Sequence, residues 1–330
     1  MKTVLVTGCA GFIGSVVSKK LLESGQAVLG IDSMNDYYDP RLKEWRLQGL
    51  SGFGRFAFHK MDIADYDRLR NITEPETVVK ALGGPLDAVV NLAARAGVRA
   101  SVADPWAYLD TNTKGTLNLL ECCKEYGIRK FVLASTSSIY GLNEMPFRET
   151  ANTDHPLAPY SATKKAAEAM CFTYHFLHGI DISIPRYFTV YGPWGRPDMS
   201  IFRFIRKIDT GKAIPVFGDG KQERDFTYID DIAEGTLKCL QPFGYELFNL
   251  GNDSPSKLMH VIKLIEENLG RKATIEWLER HPADTPASWA NIEKSRNMLK
   301  WAPTVSIEEG VRNTVQWYRE NREFLLKLKE

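Results

Sequence analysis

Lys2-Thr3-Val4-Leu5-Val6-Thr7-Gly8-Cys9-Ala10-Gly11-Phe12-Ile13-Gly14 is the stretch whose reading decides the fold. Its apolar run up to Val6 reads as a buried strand, and residues 14–24 read as a helix. Gly8, Gly11 and Gly14 lie where the one gives way to the other. Glycines there permit a tight turn and let backbone N–H groups, those of Phe12 and Ile13 among them, approach a pyrophosphate at the helix N-terminus. Taken alone, a glycine triplet also fits an ordinary turn. Asp32 removes most of that ambiguity, because it ends the next apolar run, where a carboxylate accepts hydrogen bonds from both hydroxyls of a ribose. An acid at that point also repels a 2′-phosphate, so the expected dinucleotide is NAD rather than NADP. Met61-Asp62-Ile63 falls where a contact to the adenine edge is expected, although Asp62 fits a loop or cap carboxylate as well. Asn91-Leu92-Ala93-Ala94 supplies small residues where backbone must lie close to the cofactor.

Further along the chain, apolar runs at residues 27–31, 88–92, 130–134 and 181–184 read as strands, and 107–127 and 157–178 as helices. Strands alternating with helices imply βαβ units and a Rossmann-type, doubly wound parallel sheet. After residue 185 the pattern loosens into Tyr191-Gly192-Pro193-Trp194-Gly195-Arg196-Pro197, a helix over 201–210 and a short strand from Ile214 to Phe217. The expected organisation is therefore a cofactor domain over residues 1–185, with 227–250 returning to it through Phe248-Asn249-Leu250. An interleaved, smaller α/β domain for the substrate takes 186–226 and 251–330.

Tyr160-Ser161-Ala162-Thr163-Lys164 places a phenol and an ammonium four residues apart, on one face of the helix expected there. A free tyrosine has a pKa of about 10, too high for a base at neutral pH. A nearby cation favours the phenolate and brings it toward the range where general-base work is efficient. Tyr126 and Lys130 share the spacing, but Gly127 separates them, so Tyr126 reads as a helix-end residue.

Composition narrows the rest. A net charge of +1 over 330 residues creates no field that points to nucleic acid or an anionic membrane. The five cysteines show neither metal-ligand nor disulfide-framework spacing, and none is expected to hold a metal. No apolar run is long enough to span a bilayer, and the expected location is the cytoplasm.

With those residues in hand, the chain resembles the extended short-chain dehydrogenase/reductases over nearly its whole length. The resemblance rests on T-G-x-x-G-x-x-G, Asp32, Asp62, Asn91 to Ala94, Ser135-Thr136-Ser137-Ser138-Ile139-Tyr140-Gly141 and the Tyr160/Lys164 pair. It implies that the Thr136 hydroxyl assists Tyr160, and that Lys164 binds the nicotinamide ribose and lowers the tyrosine pKa. Asn35 and Lys43 join the cofactor contacts on the same basis.

The second half resembles the sugar-nucleotide branch. Arg224-Asp225-Phe226-Thr227-Tyr228 matches the segment whose arginine holds a substrate pyrophosphate, a role a guanidinium suits physically, with a structural ion pair as the plainer reading. Val216 and Phe217 belong to a turn that resembles a uracil contact, and Asp284 matches a carboxylate near the nucleotide ribose. Dehydratases of this branch carry Asp-Glu after the catalytic threonine and decarboxylases a glutamate; here stand Ser137 and Ser138, which favours simple epimerisation. The blocks from Asp32 to Lys43 and from Arg186 to Met199 resemble UDP-glucuronate 4-epimerases. Reversible conversion of UDP-glucuronate to UDP-galacturonate through a 4-keto sugar is therefore expected, with epimerisation of neutral UDP-hexoses as the rival and a UDP-glucuronate decarboxylase or a catalytically silent NAD-binding regulator as more distant alternatives. A 4-keto uronate loses CO2 readily, and Ser137, Ser138, Thr189 and Arg196 are the candidates to hold its carboxylate against that loss. Arg99 reads as a substrate contact or as a surface residue. Ser137 also fits a role in satisfying backbone groups. By analogy, a homodimer is expected through helices 107–127 and 157–178.

Overall fold

The computed structural model describes residues 2–279 and 287–329. Seven parallel strands form the central sheet in the order Tyr245–Leu250, Asp181–Tyr187, Lys130–Leu133, Ala88–Asn91, Thr3–Thr7, Ala27–Asp32, Phe56–Lys60, with Ser135–Thr136 as a short addition beside Asp181–Tyr187. Side chains alternate between the faces along each strand. Val4 and Val6 enter one core with Val28, Val90 and Val132, while Leu5 enters the other with Leu29, Val89 and Phe131. Both faces are thus covered, which is why these strands read as unbroken apolar runs.

Phe56–Lys60 is the exception. It is one of the sheet's two edge strands and only partly buried, so its Phe56-Ala57-Phe58-His59-Lys60 lacks an apolar run and escapes a reading based on one. Helix Pro40–Ser51, absent from the sequence expectations, is capped by the Asp39 carboxylate, which accepts from the Arg41 N–H at 3.1 Å.

The helix expected over 107–127 is not continuous α-helix. An α turn at Pro105–Tyr108 passes into a π-helical segment at Leu109–Lys114 before Gly115–Tyr126 resumes. The wider π turn leaves Asn112 buried, with its side chain engaged across to neighbouring elements rather than within the helix.

Beyond residue 187 the chain leaves the sheet and comes back. Thr189–Tyr191 pairs with Phe226–Tyr228, and Ile214–Phe217 pairs with Ile275–Leu278, each in parallel. Helix Ile229–Lys238 packs on the first helix, Phe12–Glu23, and leads into Tyr245–Leu250, the returning strand. Helices Ser200–Asp209, Leu258–Leu269 and Ile307–Glu320 complete the smaller half, whose core is continuous with one face of the sheet. Among the described residues no helix is long and apolar enough to cross a membrane.

Candidate active site

Strand order reverses between Thr3–Thr7 and Ala88–Asn91, and a cavity of about 440 Å3 opens at the carboxyl ends of the strands there. Two side chains lock this point. The Thr7 hydroxyl donates to Asn91 Oδ1 at 2.7 Å and accepts from the Ala93 N–H at 3.1 Å. Asn91 in turn donates to the Thr116 hydroxyl at 3.0 Å.

The glycines form a cradle that no side chain can share. A Cβ at Gly14 would stand 2.0 Å from the Gly8 carbonyl oxygen, and one at Gly8, where φ is +68°, would stand 2.8 Å from the Ala93 nitrogen. Helix Phe12–Glu23 starts with no side-chain cap, so the N–H groups of its first turn face the cavity without an intrahelical partner. Asp32 stands at the far end, its carboxylate accepting from the N–H groups of Ala10 (3.2 Å) and Met34 (2.8 Å). Lys43 lies 3.7 Å from Asp32 and donates to Asn35 Oδ1 at 3.1 Å. A glycine cradle, unpartnered N–H groups and a fixed carboxylate fit an extended dinucleotide. Asp62 and Ile63, Leu92, Ala93 and Ala94 all line the same wall. The Asp62 carboxylate also accepts from the Ala64 N–H at 2.9 Å, so its loop-cap reading and its cavity position are both satisfied.

Across the cavity runs helix Pro159–His178. Proline at its first position suits a residue whose N–H would find no partner, and Gly179 ends it at φ +64°. Tyr160 and Lys164 project from its first two turns into the cavity. Asn112 holds this helix from behind, donating to the Thr163 hydroxyl at 3.1 Å, while its own oxygen accepts from the Arg95 N–H at 2.9 Å. Thr136 caps the short helical turn Ser137–Tyr140, its hydroxyl accepting from the Ser138 N–H at 3.2 Å. That geometry satisfies a backbone group and also presents the hydroxyl to Tyr160.

Electrostatics at the pair are dominated by burial. Loss of water pushes the Tyr160 pKa up, while the Thr136 hydroxyl and then the Arg196 guanidinium act in the opposite direction. Lys164 is likewise pushed down by burial, to about 8, with Glu168 one turn further along opposing that shift. The Thr136 hydroxyl and the Arg196 guanidinium both favour the phenolate, and Lys164 reaches the same cavity from one turn further along the helix.

Ser137, Ser138 and Thr189 line the adjoining wall with Arg196 and Asp198. The Asp198 carboxylate is engaged by Arg196 through two hydrogen bonds of 3.0 and 2.5 Å, and the guanidinium lies 5.4 Å from the centre of the Tyr37 ring. Four other expected contacts, Arg99, Val216, Phe217 and Arg224, do not border the cavity. Val216 is fully buried, because the inward positions of its strand are Ile214 and Val216. Phe217 lies under Arg99, 3.9 Å from ring centre to guanidinium. Arg224 donates to the Glu223 carbonyl at 2.9 Å. Asp284 lies outside the described residues. Sequence reasoning missed Asn112, whose position in a polar run within an otherwise apolar helix was the available signal, and Arg203. Arg203 has a buried Nε without a hydrogen-bond partner, and its pKa is pushed down by burial and by the Arg99 charge.

The family model for the NAD dependent epimerase/dehydratase family matches residues 4–251. This chain belongs to that family. It is 52% identical over 326 residues, 98% of each chain, to a UDP-glucuronate 4-epimerase of Thermodesulfobacterium geofontis. Among solved structures it is similar to the UDP-glucuronic acid 4-epimerase of Bacillus cereus in complex with UDP-glucuronic acid and NAD. That match has 37% identity and a TM-score of 0.88, and covers 96% of this chain and 99% of that one. The UDP-glucose 4-epimerase of Thermotoga maritima with UDP-glucose is also similar, at 30% identity and a TM-score of 0.87, covering 97% and 99%.

Proposed function

We propose that this protein is an NAD-dependent isomerase that interconverts UDP-glucuronate and UDP-galacturonate by inverting C4 of the sugar. The observation that carries the reading is the wall beside Tyr160. Ser137, Ser138 and Thr189 offer neutral hydroxyls there, Arg196 offers a cation, and the carboxylate beside them, Asp198, is engaged by that cation. A wall of donors suits a substrate that brings its own carboxylate.

Residues Gly8, Gly11, Phe12, Ile13 and Gly14 would hold the NAD pyrophosphate, with Asp32, Asn35 and Lys43 at the adenosine ribose. Asp62 and Ile63 would meet the adenine, Leu92, Ala93 and Ala94 would lie along the backbone of the cofactor, and Lys164 would hold the nicotinamide ribose. Bound NAD supplies a hydride acceptor at C4 and returns the same hydride. Tyr160 takes the proton from the C4 hydroxyl and gives it back on the other face, so it serves as base and then as acid. Thr136 hydrogen-bonds the charged phenolate and lowers the cost of that first transfer. Ser137, Ser138 and Thr189 would bind the uronate carboxylate, directing its bond away from alignment with the ketone π system and so suppressing loss of CO2. Arg99, Arg203 and Arg224 would meet the diphosphate and Val216, Phe217 and Asp284 the uridine, beyond the cavity described above, with 186–226 and 251–330 as the substrate half and 1–185 with 227–250 as the cofactor half.

A homodimer through helices 107–127 and 157–178 belongs to the same reading. Phe172 and Phe176, four residues apart on the second helix, are 52% and 76% exposed, an apolar pair on one helix face that suits a covered interface.

Proton NMR with UDP-glucuronate and, in parallel, UDP-glucose tests the assignment. UDP-galacturonate from the first alone is expected; UDP-galactose from the second alone would make this a neutral-sugar epimerase, and a UDP-pentose would mean that the hydroxyls do not protect the carboxylate.

Thr136→Val is expected to raise the Tyr160 pKa, because it deletes a hydrogen bond that favours the phenolate. A higher pKa leaves less phenolate at any given pH, so the acid limb of kcat/KM moves to higher pH. Activity then falls most near neutrality, about tenfold per pKa unit, and recovers as pH rises. A uniform loss across the pH profile would instead assign Thr136 to positioning alone.

A further inference from the structure

Arg46 is not part of any contact described above, yet it is 3% exposed and reaches two loops that border the cavity. It lies on helix Pro40–Ser51. Its Nη1 donates to the Ala10 carbonyl at 3.1 Å and to the Tyr38 hydroxyl at 2.7 Å. Its Nη2 donates to the carbonyls of Trp194 (2.5 Å) and Gly195 (3.3 Å). Ala10 is in the glycine-rich turn, while Trp194 and Gly195 immediately precede Arg196.

We propose that Arg46 is a positioning residue for uronate recognition: its guanidinium ties the glycine-rich turn to the loop of Trp194 and Gly195 and so fixes where Arg196 stands over the sugar. The proposal rests on the epimerase reading. Three observations support it. First, the buried fork is not there for packing. Its hydrogen bonds among the described residues go to carbonyl and phenol oxygens and none to a carboxylate, and its Nε has no partner. A buried cation without a counter-ion is costly, and an apolar side chain of the same length would fill the space without that cost. What the guanidinium adds is a planar set of donors able to hold two loops at once.

Second, the loop it grips is in a conformation that needs holding. Trp194 has φ +67°, a region that a residue with a Cβ enters unfavourably. Besides the Arg46 bond, Trp194 is held by Trp45, the neighbour of Arg46, at 4.2 Å between ring centres, and by Trp317 at 5.7 Å. Third, the two arginines rest on neighbouring rings. Arg46 lies 5.5 Å from the Tyr38 ring centre and Arg196 5.4 Å from that of Tyr37. Tyr37 and Tyr38 are adjacent in the chain, so a change in how Arg46 holds Tyr38 is transmitted to the ring beside Arg196. Arg196 is also the cation that favours the Tyr160 phenolate, so its position bears on both binding and proton transfer.

Calorimetry on the NAD-loaded protein tests this with a double-mutant cycle of Arg46→Met and Arg196→Gln, titrated with UDP-glucuronate and with UDP. Arg46→Met is expected to weaken UDP-glucuronate about tenfold, to leave UDP within twofold, and to raise the fraction of UDP-pentose formed. In the Arg196→Gln background, the same change is expected to add less than twofold, because Arg46 acts through Arg196. Additive losses in the cycle, or equal weakening of UDP and UDP-glucuronate, would overturn the proposal and leave Arg46 a structural tie. Arg46→Lys replaces Arg46→Met in the cycle if the methionine variant does not fold; one ammonium cannot span both loops, so the same pattern is expected. Failure of the epimerase reading would show separately, as wild-type protein that binds UDP-glucuronate no better than UDP.

Discussion

Tyr160→Phe is expected to lower kcat by about a thousandfold, the scale of a lost general acid–base group, with NAD content and substrate affinity close to those of the wild type. The variant removes one hydroxyl and keeps the ring, which packs edge-on against Tyr108 at 6.1 Å between centres. Proton removal from C4–OH has no ready substitute. Lys164 points at the same space but is 3% exposed and held as a cation up to about pH 8, so it cannot accept a proton at neutrality. The hydroxyls of Thr136 and Ser138 are bonded to each other at 3.2 Å and have pKa values far above any working pH. Burial of the phenol disfavours its charge in the wild type, so the variant is not expected to be less stable in thermal denaturation. Single-turnover absorbance of the reduced cofactor separates the outcomes: wild type forms a trace of it with substrate and Tyr160→Phe forms none. Turnover within tenfold of wild type would mean that another group is the base.

Most of the fold and the cofactor end of the site are legible in the sequence because they depend on local rules. A parallel strand buried on both faces needs an apolar run, and a phosphate cradle needs hydrogen in place of side chains at Gly8 and Gly14. Tyr160 and Lys164 are legible for the same reason, being one turn apart on one helix. What the sequence hides is non-local. Asn112 acts on Arg95 and Thr163, and Arg46 acts on Ala10 and Trp194, across separations that no periodicity marks. Arg196 likewise favours the Tyr160 phenolate from a different element, which no spacing along the Tyr160 helix marks.

Arg186→Met is expected to have the largest effect on stability of any single change discussed here. Arg186 and Glu168 are 2% and 3% exposed, and they pair through two hydrogen bonds of 3.0 and 2.7 Å. The same carboxylate accepts from the Ser135 hydroxyl at 2.6 Å, and Arg186 donates to Tyr140, whose hydroxyl reaches Asn249 at 2.6 Å on the returning strand. Removing the arginine leaves a buried carboxylate without its counter-charge, which costs about 3–5 kcal/mol. For a chain of 330 residues that is a fall in Tm of roughly 5 °C, at an unfolding entropy of about 2 cal/mol/K per residue. The paired change Glu168→Leu with Arg186→Met removes both charges and is expected to regain much of the loss. It carries a catalytic signature as well. Glu168 raises the pKa of Lys164 against the effect of burial, so without it the lysine loses its proton at a lower pH, and the alkaline limb of kcat/KM moves below about pH 8. A double variant as unstable as the single one would mean that Ser135 and Tyr140, left without partners, matter more than the charge. An unmoved alkaline limb would mean that the titration seen there is not that of Lys164.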